Sequence, residues 1–188
     1  MDNRRNYFFL IIAVIAFGMM LTGGTYAWLT FNTTTVGNNI ISGDSTCFVI
    51  DYSGSFEGGV LFPSKTDKGG LMATATLSIN QSCNVNAVGY VKLNVGTGTD
   101  SKFFAKDGSN NYVLNYSIYD SNGTTKLGSG AITGTGDITL NTSTITLTKT
   151  PTTYYVYVWL NGAHSLVDNS YLNLPFSGTL KASATQVE

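Results

Sequence analysis

The sequence predicts an all-β protein, a single jelly-roll-like antiparallel β-sandwich preceded by an N-terminal hydrophobic signal or anchor helix. Three observations lead to this fold class. Beyond Ala27, apolar residues alternate with polar ones at a period of two, and no segment carries a helical apolar stripe. Turn-forming pairs such as Asn122-Gly123 separate the alternating runs. Hydrophobic residues make up 43% of 188 residues, enough for the core of one domain.

The first 27 residues have the order of a secretory signal peptide. Arg4 and Arg5 form a short positive end, residues 7–21 are uncharged and apolar, and residues 22–27 are small and turn-forming. We predict cleavage between Ala27 and Trp28. The apolar run has 15 residues, fewer than the ~20 that span a bilayer as a helix. A retained membrane anchor is the competing interpretation, and in both cases the rest of the chain lies outside the membrane.

A β-sandwich domain is predicted over residues 46–188. The candidate strands are residues 46–52, 72–79, 91–95, 112–119, 144–148, 154–160 and 176–184. The run from Tyr154 to Leu160 is apolar on both faces, which indicates a central strand covered on both sides. Residues 128–150 are rich in Gly and Thr and have a weak alternation, so we expect a sheet edge or a mobile loop there.

Residues 28–45 are predicted to form an N-terminal strand and a linker. We call residues 28–36 the N-terminal arm; it is β-branched and aromatic, with no Gly, Pro or charge. Its members are Trp28, Leu29, Thr30, Phe31, Asn32, Thr33, Thr34, Thr35 and Val36. Such a segment can pair with the sheet edge of a neighbouring copy. The alternatives are that it is the first strand of its own sheet or a stalk to a retained anchor.

Composition and motifs argue against several functional classes. A formal net charge of −1 provides no basic surface for phosphates, so we expect no nucleic-acid partner. The only histidine, His164, lacks a catalytic or zinc-binding motif and is expected to be an exposed loop residue. The acidic residues are scattered beside turns, and we expect them to be solvated turn residues. We therefore predict no enzyme activity, no metal site and no cofactor.

Cys47 and Cys83 fall within or beside separate predicted strands. An exported chain can form a disulfide between them, and two buried thiols are the alternative. A bridge across a separation of 36 residues would contribute roughly 3–4 kcal/mol of stability by loop-closure entropy. We favour the disulfide because free thiols outside the cell are open to oxidation.

Both ends of the chain carry short motifs. At the N-terminal end these are Gly-Gly-Thr-Tyr-Ala-Trp at residues 23–28 and a segment ending in Ser-Gly at residues 39–43. At the C-terminal end they are residues 169–171 and 176–186, which close in Ala-Thr-Gln. Together these motifs resemble the TasA/camelysin family of exported Firmicutes surface and biofilm-matrix proteins, whose junction is read by a SipW-type signal peptidase. The resemblance covers about a third of the chain.

This resemblance implies a jelly-roll domain that assembles into extracellular filaments, in which the N-terminal arm of one subunit completes the sheet of the next. The chain departs from the family at two places. Residues 29–32 lack the usual acidic residue and aromatic pair, and the two cysteines are additional. Some members are classed as metalloproteases. This sequence contains no metal-binding motif, so we do not expect that activity here.

The sequence therefore predicts an exported structural protein, secreted to the cell surface or biofilm matrix. Its expected partners are other copies of itself in a homopolymer, a signal peptidase, and accessory matrix or cell-wall components. The first alternative is a membrane-anchored β-sandwich that binds surface ligands through Tyr155, Tyr157 and Trp159. A camelysin-type metalloprotease comes third. Organism, filament geometry and removal of residues 1–27 stay open at this stage.

Overall fold

The computed structural model describes residues 31–34, 47–54, 56 and 58–187. The predicted signal or anchor helix, the cleavage position at Ala27 and Trp28, and arm residues 28–30, 35 and 36 lie outside these ranges. The described residues are built from strands and three short 3-10 helices. Phe31–Glu188 forms one compact unit.

Thirteen strands follow one another in this part of the chain. They are β1 (Phe31–Thr34), β2 (Phe48–Ser53), β3 (Gly59–Val60), β4 (Pro63–Ser64), β5 (Leu71–Ile79), β6 (Asn86–Val95), β7 (Leu114–Tyr119), β8 (Lys126–Ala131), β9 (Gly136–Thr139), β10 (Ile145–Leu147), β11 (Thr152–Asn161), β12 (Pro175–Phe176) and β13 (Gly178–Val187). The 3-10 helices are η1 (Asp67–Gly69), η2 (Ser101–Phe104) and η3 (Asn169–Tyr171).

The strands form two main sheets. In sheet 1 the order is β1-β13-β6, and both β9 and β10 pair with the far side of β6. In sheet 2 the order is β2-β5-β11-β7-β8, and β4 adds a short parallel pair to β11. The strands β3 and β12 pair separately. Apart from the β4–β11 pair, every described pairing is antiparallel, so the all-β antiparallel prediction is confirmed.

The core lies between the two sheets, in a sandwich-like arrangement. Alternate residues along β6, β13, β5 and β11 are buried, as period-two alternation requires. Val91 and Leu93 of sheet 1 and Val156 and Val158 of sheet 2 are fully buried. β11 pairs with β5 on one side and β7 on the other, which confirms that it is a central strand. Its outer face is only half-buried, so the prediction that both faces are covered was wrong for that face.

A cluster of aromatic side chains lies beyond the ends of the main strands. The ring of Phe176 stands edge-on to those of Phe56 and Phe103, with centroids 6.3 Å apart in each pair. Tyr171 packs against Phe103 at 6.2 Å. All four side chains are buried, so the short elements η2, η3 and β12 are held to the sandwich by aromatic packing.

The Gly- and Thr-rich stretch, residues 128–150, is more ordered than a mobile loop. It contains most of β8 together with β9 and β10, and these strands lie at the edges of their sheets. Asn122-Gly123 forms the turn between β7 and β8, with Gly123 at a φ of 66°. This positive φ explains why the turn needs glycine there.

Candidate assembly edge

The N-terminal arm has its described residues at the edge of sheet 1. β1 runs antiparallel to β13, with Phe31 opposite Ala184 and Thr34 opposite Lys181. The pairing lies within one chain, so over these four residues the arm is the first strand of its own sheet. The other side of β13 pairs with β6 over all ten of its residues.

A polar network on sheet 1 holds β13 in place independently of the arm. Lys181 of β13 donates to the Asp137 carboxylate of β9 at 2.9 Å, and Asn94 of β6 donates to the same Oδ1 atom at 2.5 Å. The hydrogen bond from Lys181, followed by that from Asn94, lowers the pKa of Asp137. Asp137 therefore stays ionised at neutral pH, and its carboxylate links the side chains of β13 and β6 to β9.

A disulfide joins Cys47 and Cys83, with their Cα atoms 5.5 Å apart. Cys47 immediately precedes β2, and Cys83 lies in the turn between β5 and β6. The Asn80 amide donates to the Cys47 carbonyl at 2.8 Å, so the backbone supports the same junction. The bridge anchors the chain at the point where the linker from the arm enters sheet 2.

The outer face of β11 carries the aromatic residues of the surface-binding alternative. Tyr155, Tyr157 and Trp159 are half-buried and lie on one side of sheet 2. The ring of Tyr157 stands edge-on to that of Tyr119, with centroids 5.8 Å apart. Met72, which pairs with Tyr157 in register, is 48% exposed. The structure therefore brings these three predicted aromatics onto one partly accessible surface.

A cluster of charged and phenolic groups borders this aromatic surface. The Asp67 carboxylate accepts hydrogen bonds from Tyr119 Oη and, at 2.8 Å, from Lys126 Nζ. Burial raises the pKa of Asp67, but the hydrogen bonds from Lys126 and Tyr119 outweigh it and lower the pKa overall. Burial and the bond to Asp67 raise the pKa of Tyr119. Lys68 and Lys126 also lie over the Tyr119 ring, at 4.7 and 5.6 Å from its centroid.

His164 is buried, with 7% of its surface exposed, so the prediction of an exposed loop imidazole was wrong. Its Nδ1 atom accepts from the Leu166 amide at 3.2 Å, and Nε2 lies 3.0 Å from the Asn111 carbonyl. The Nδ1 acceptor fixes the proton on Nε2, which donates to Asn111. The imidazole therefore bonds within its own turn, to Leu166, and also to the loop that contains Asn111. The residues next to His164 in the sequence do not indicate this role.

Several acidic residues serve as acceptors in their own turns, as predicted for turn residues. Asp100 and Asp168 each accept an amide at the start of a 3-10 helix, from Lys102 and Ser170 respectively. Asp107 binds amides of its own loop. Within the described ranges, no three His, Cys, Asp or Glu residues lie close enough together to hold a metal ion.

Asn141 is a buried structural residue that sequence reasoning missed. Its Oδ1 accepts from the Val91 amide at 2.8 Å, and its Nδ2 donates to the Ser143 carbonyl at 2.6 Å. β10 pairs with residues 87–89 of β6, and β9 pairs with residues 92–95. The Asn141 side chain fills the gap between them by accepting the hydrogen bond that a neighbouring strand would otherwise accept. The sequence offered no signal, because the chain contains many asparagines beside turns.

No protein-family model matches this chain, and no curated protein is detectably similar to it. Among the helices of the described part, none has both the length and the apolar character needed to cross a membrane.

Proposed function

We propose that this chain is an exported structural protein, a subunit that builds an extracellular filament by exchanging its N-terminal arm with a neighbour. The observation that carries the proposal is the position of β1 at the edge of sheet 1, paired on one side only, with β13. A strand at the edge of a sheet that is held by four residue pairs is easier to release than a central strand.

The length of the arm suits pairing with β13. Its described residues, Phe31–Thr34, pair with β13 in one antiparallel register. The predicted arm has nine residues and β13 (Gly178–Val187) has ten, so the two segments have nearly the same length. An extended segment of this length suits strand addition, in which main-chain hydrogen bonds supply affinity.

Exchange would replace the pairing within one chain by the same pairing between two chains. The residues in contact are identical, so the change in contact free energy per subunit is small. When each subunit gives its arm to a different neighbour, the contact is head-to-tail and extends into a filament rather than closing into a dimer. Residues 35–46 connect β1 to the disulfide anchor at Cys47, and this 12-residue link can span at most ~40 Å.

The strand order supports the finer assignment to the jelly-roll class. The chain passes between sheets at most major connections: β1 to β2, β5 to β6, β6 to β7, β8 to β9, β10 to β11 and β11 to β13. The first strand, β1, pairs with the last, β13, and the β7–β8 hairpin stays within sheet 2. A double-sheet jelly roll winds in this way, and in that assignment β5 is an added strand between β2 and β11.

Export and the matrix setting rest on the sequence. The signal-like residues 1–27, the disulfide and the ends that resemble the TasA/camelysin family all favour a protein secreted to the cell surface or biofilm matrix. The low charged fraction, 11%, suits a subunit whose partner is another copy of itself.

Deletion of residues 28–36 from the secreted protein tests the proposal by electron microscopy. We expect a soluble, folded species that forms no filaments. A matched pair of point variants controls for loss of the segment: Thr33→Pro fixes φ at about −65° and so disfavours the extended strand that pairs with β13, whereas Thr33→Val keeps a β-branched residue there. Filaments formed by the deletion variant or by Thr33→Pro would refute arm exchange.

The second candidate function is a membrane-anchored module that binds ligands with the outer face of sheet 2. The favouring observation is that Tyr155, Tyr157 and Trp159 share one half-buried face. Mass spectrometry of the N-terminus of the native protein separates the two candidates. A chain that begins at Trp28 supports the secreted subunit, and a chain that retains residues 1–27 supports the anchored module.

A further inference from the structure

A pocket of about 270 Å³ opens between the edges of the two sheets. It lies where the start of β10 in sheet 1 approaches the β7–β8 turn and the start of β11 in sheet 2. At ~30 Å³ per water, this space equals about nine water molecules, the scale of one sugar ring. The pocket is remote in sequence from the arm and takes no part in the proposed assembly.

The lining combines hydroxyl groups with two apolar side chains. Leu127 and Ile145 supply the apolar wall. The hydroxyl-bearing residues are Ser121, Ser143, Thr144, Thr146 and Thr152. Each hydroxyl can donate one hydrogen bond and accept others, which is the pattern that the hydroxyls of a sugar require. The apolar wall suits the C–H face of the ring.

Tyr154 is the residue that distinguishes this pocket from ordinary hydroxyl-rich surface. It is only 7% exposed, it lines the pocket, and its hydroxyl forms no hydrogen bond with any residue of the described part. Burial, followed by the nearby negative charge of Asp120, raises the pKa of Tyr154, so the phenol keeps its proton at neutral pH. Among the described residues only Ser117 has a buried side-chain polar atom without a partner, so the Tyr154 hydroxyl is reached by solvent and is available to a ligand in the pocket.

The charge of the pocket decides between ligand classes. Asp120 is its one charged lining residue, and no Lys or Arg contributes to it. Amide donors from Thr124 and Thr125 bind Asp120 Oδ1, and the first of these bonds lowers its pKa, so the carboxylate is ionised at neutral pH. Phosphates, sulfates and uronic acids would be repelled.

We propose that this pocket binds one neutral sugar residue of an extracellular polysaccharide, with Tyr154 Oη as a donor and Asp120 as an acceptor. Discrimination would come from the hydroxyl groups, because a ligand without them leaves the buried phenol unpaired.

The test uses NMR titration of the full secreted protein with D-glucose, D-galactose and N-acetyl-D-glucosamine, each in the millimolar range. We expect at least one of these sugars to shift backbone signals of residues 120–121, 143–146 and 152–154. Tyr154→Phe should weaken that binding roughly three- to tenfold, the loss of one hydrogen bond. Tyr116→Phe is the matched control, since Tyr116 is also a buried tyrosine but does not line the pocket.

The contrary results are equally defined. If none of the three sugars shifts these signals, or if Tyr154→Phe binds as tightly as the wild type, the proposal is refuted. A response to D-glucosamine alone, lost in Asp120→Asn, would mean that the pocket selects a cation instead. Because none of these readouts depends on filaments, failure here leaves arm exchange untouched, and failure of arm exchange leaves the pocket untouched.

Discussion

The strands β11 and β1 are both rich in Thr and aromatic residues, yet they are held very differently. β11 pairs with β5 over residues 152–158 and with β7 over residues 155–160, and its inner face is buried in the core. β1 pairs over residues 31–34 with β13 alone. Strand composition therefore indicates an extended conformation, whereas the number of neighbouring strands sets how firmly a strand is held.

The largest effect is expected at the centre of sheet 2. Ile118 on β7 is fully buried and pairs with Val156 of β11. Ile118→Ala should lower the free energy of unfolding by about 2–5 kcal/mol, since it removes buried methyl groups and leaves a cavity. Val49→Ala is the control on the edge strand β2, where the side chain is 43% exposed, and it should change stability by less than ~0.5 kcal/mol. Urea denaturation measures both, and equal losses would contradict the difference between centre and edge.

The disulfide should have the next largest effect. The double variant Cys47→Ser with Cys83→Ser should lose roughly 3–4 kcal/mol of stability, because an open chain of 36 residues regains its loop entropy on unfolding. Thermal unfolding with and without dithiothreitol measures this loss. The reductant should destabilise the wild type and leave the double variant unchanged. A wild type that is indifferent to reduction would show that the bridge does not anchor the start of β2.

Asn141→Ala should cost about 1–3 kcal/mol, because the buried Val91 amide loses its acceptor. Asn84→Ala is the matched control, since Asn84 is exposed. Amide hydrogen exchange gives the local readout: the Val91 amide should lose protection in Asn141→Ala, whereas that of Val158 in sheet 2 should keep it. Unchanged exchange at Val91 would mean that β6 does not depend on this side chain at its edge.

The smallest effect is expected at the Asp67 cluster, and it depends on pH. The folded pKa of Asp67 lies below its ordinary value of 3.8, so its contribution to stability is complete above that pH and is lost as the pH falls through the folded pKa. Tyr119→Phe removes one of the bonds that lower the pKa and should cost about 1 kcal/mol at neutral pH, and less in acid. Tyr157→Phe is the control. If Tyr119→Phe loses as much stability in acid as at neutral pH, the contribution of Tyr119 does not depend on the negative charge of Asp67.

The elements predicted well from the sequence are those that packing defines. The run from Tyr154 to Leu160, apolar on both faces, predicted a central strand, and Asn122-Gly123 predicted the turn after β7, because burial and backbone sterics act locally. The partner of the arm was not predictable, since an edge strand can pair with any free edge. His164 and Tyr154 were also missed as structural and pocket residues, because their roles depend on loops that are far apart in sequence.

Cross-linking of the arm to β13 measures the proposed exchange directly. Asn32 and Ser183 lie opposite each other, and paired antiparallel Cα atoms stand ~4.5–5.5 Å apart, within reach of a disulfide. In the variant Asn32→Cys with Ser183→Cys, oxidation of monomers should link the two positions within one chain. Oxidation of assembled filaments should instead give a ladder of covalent oligomers on a non-reducing gel, with the 32–183 bond identified by peptide mapping. Filaments that yield only intramolecular 32–183 bonds would contradict arm exchange.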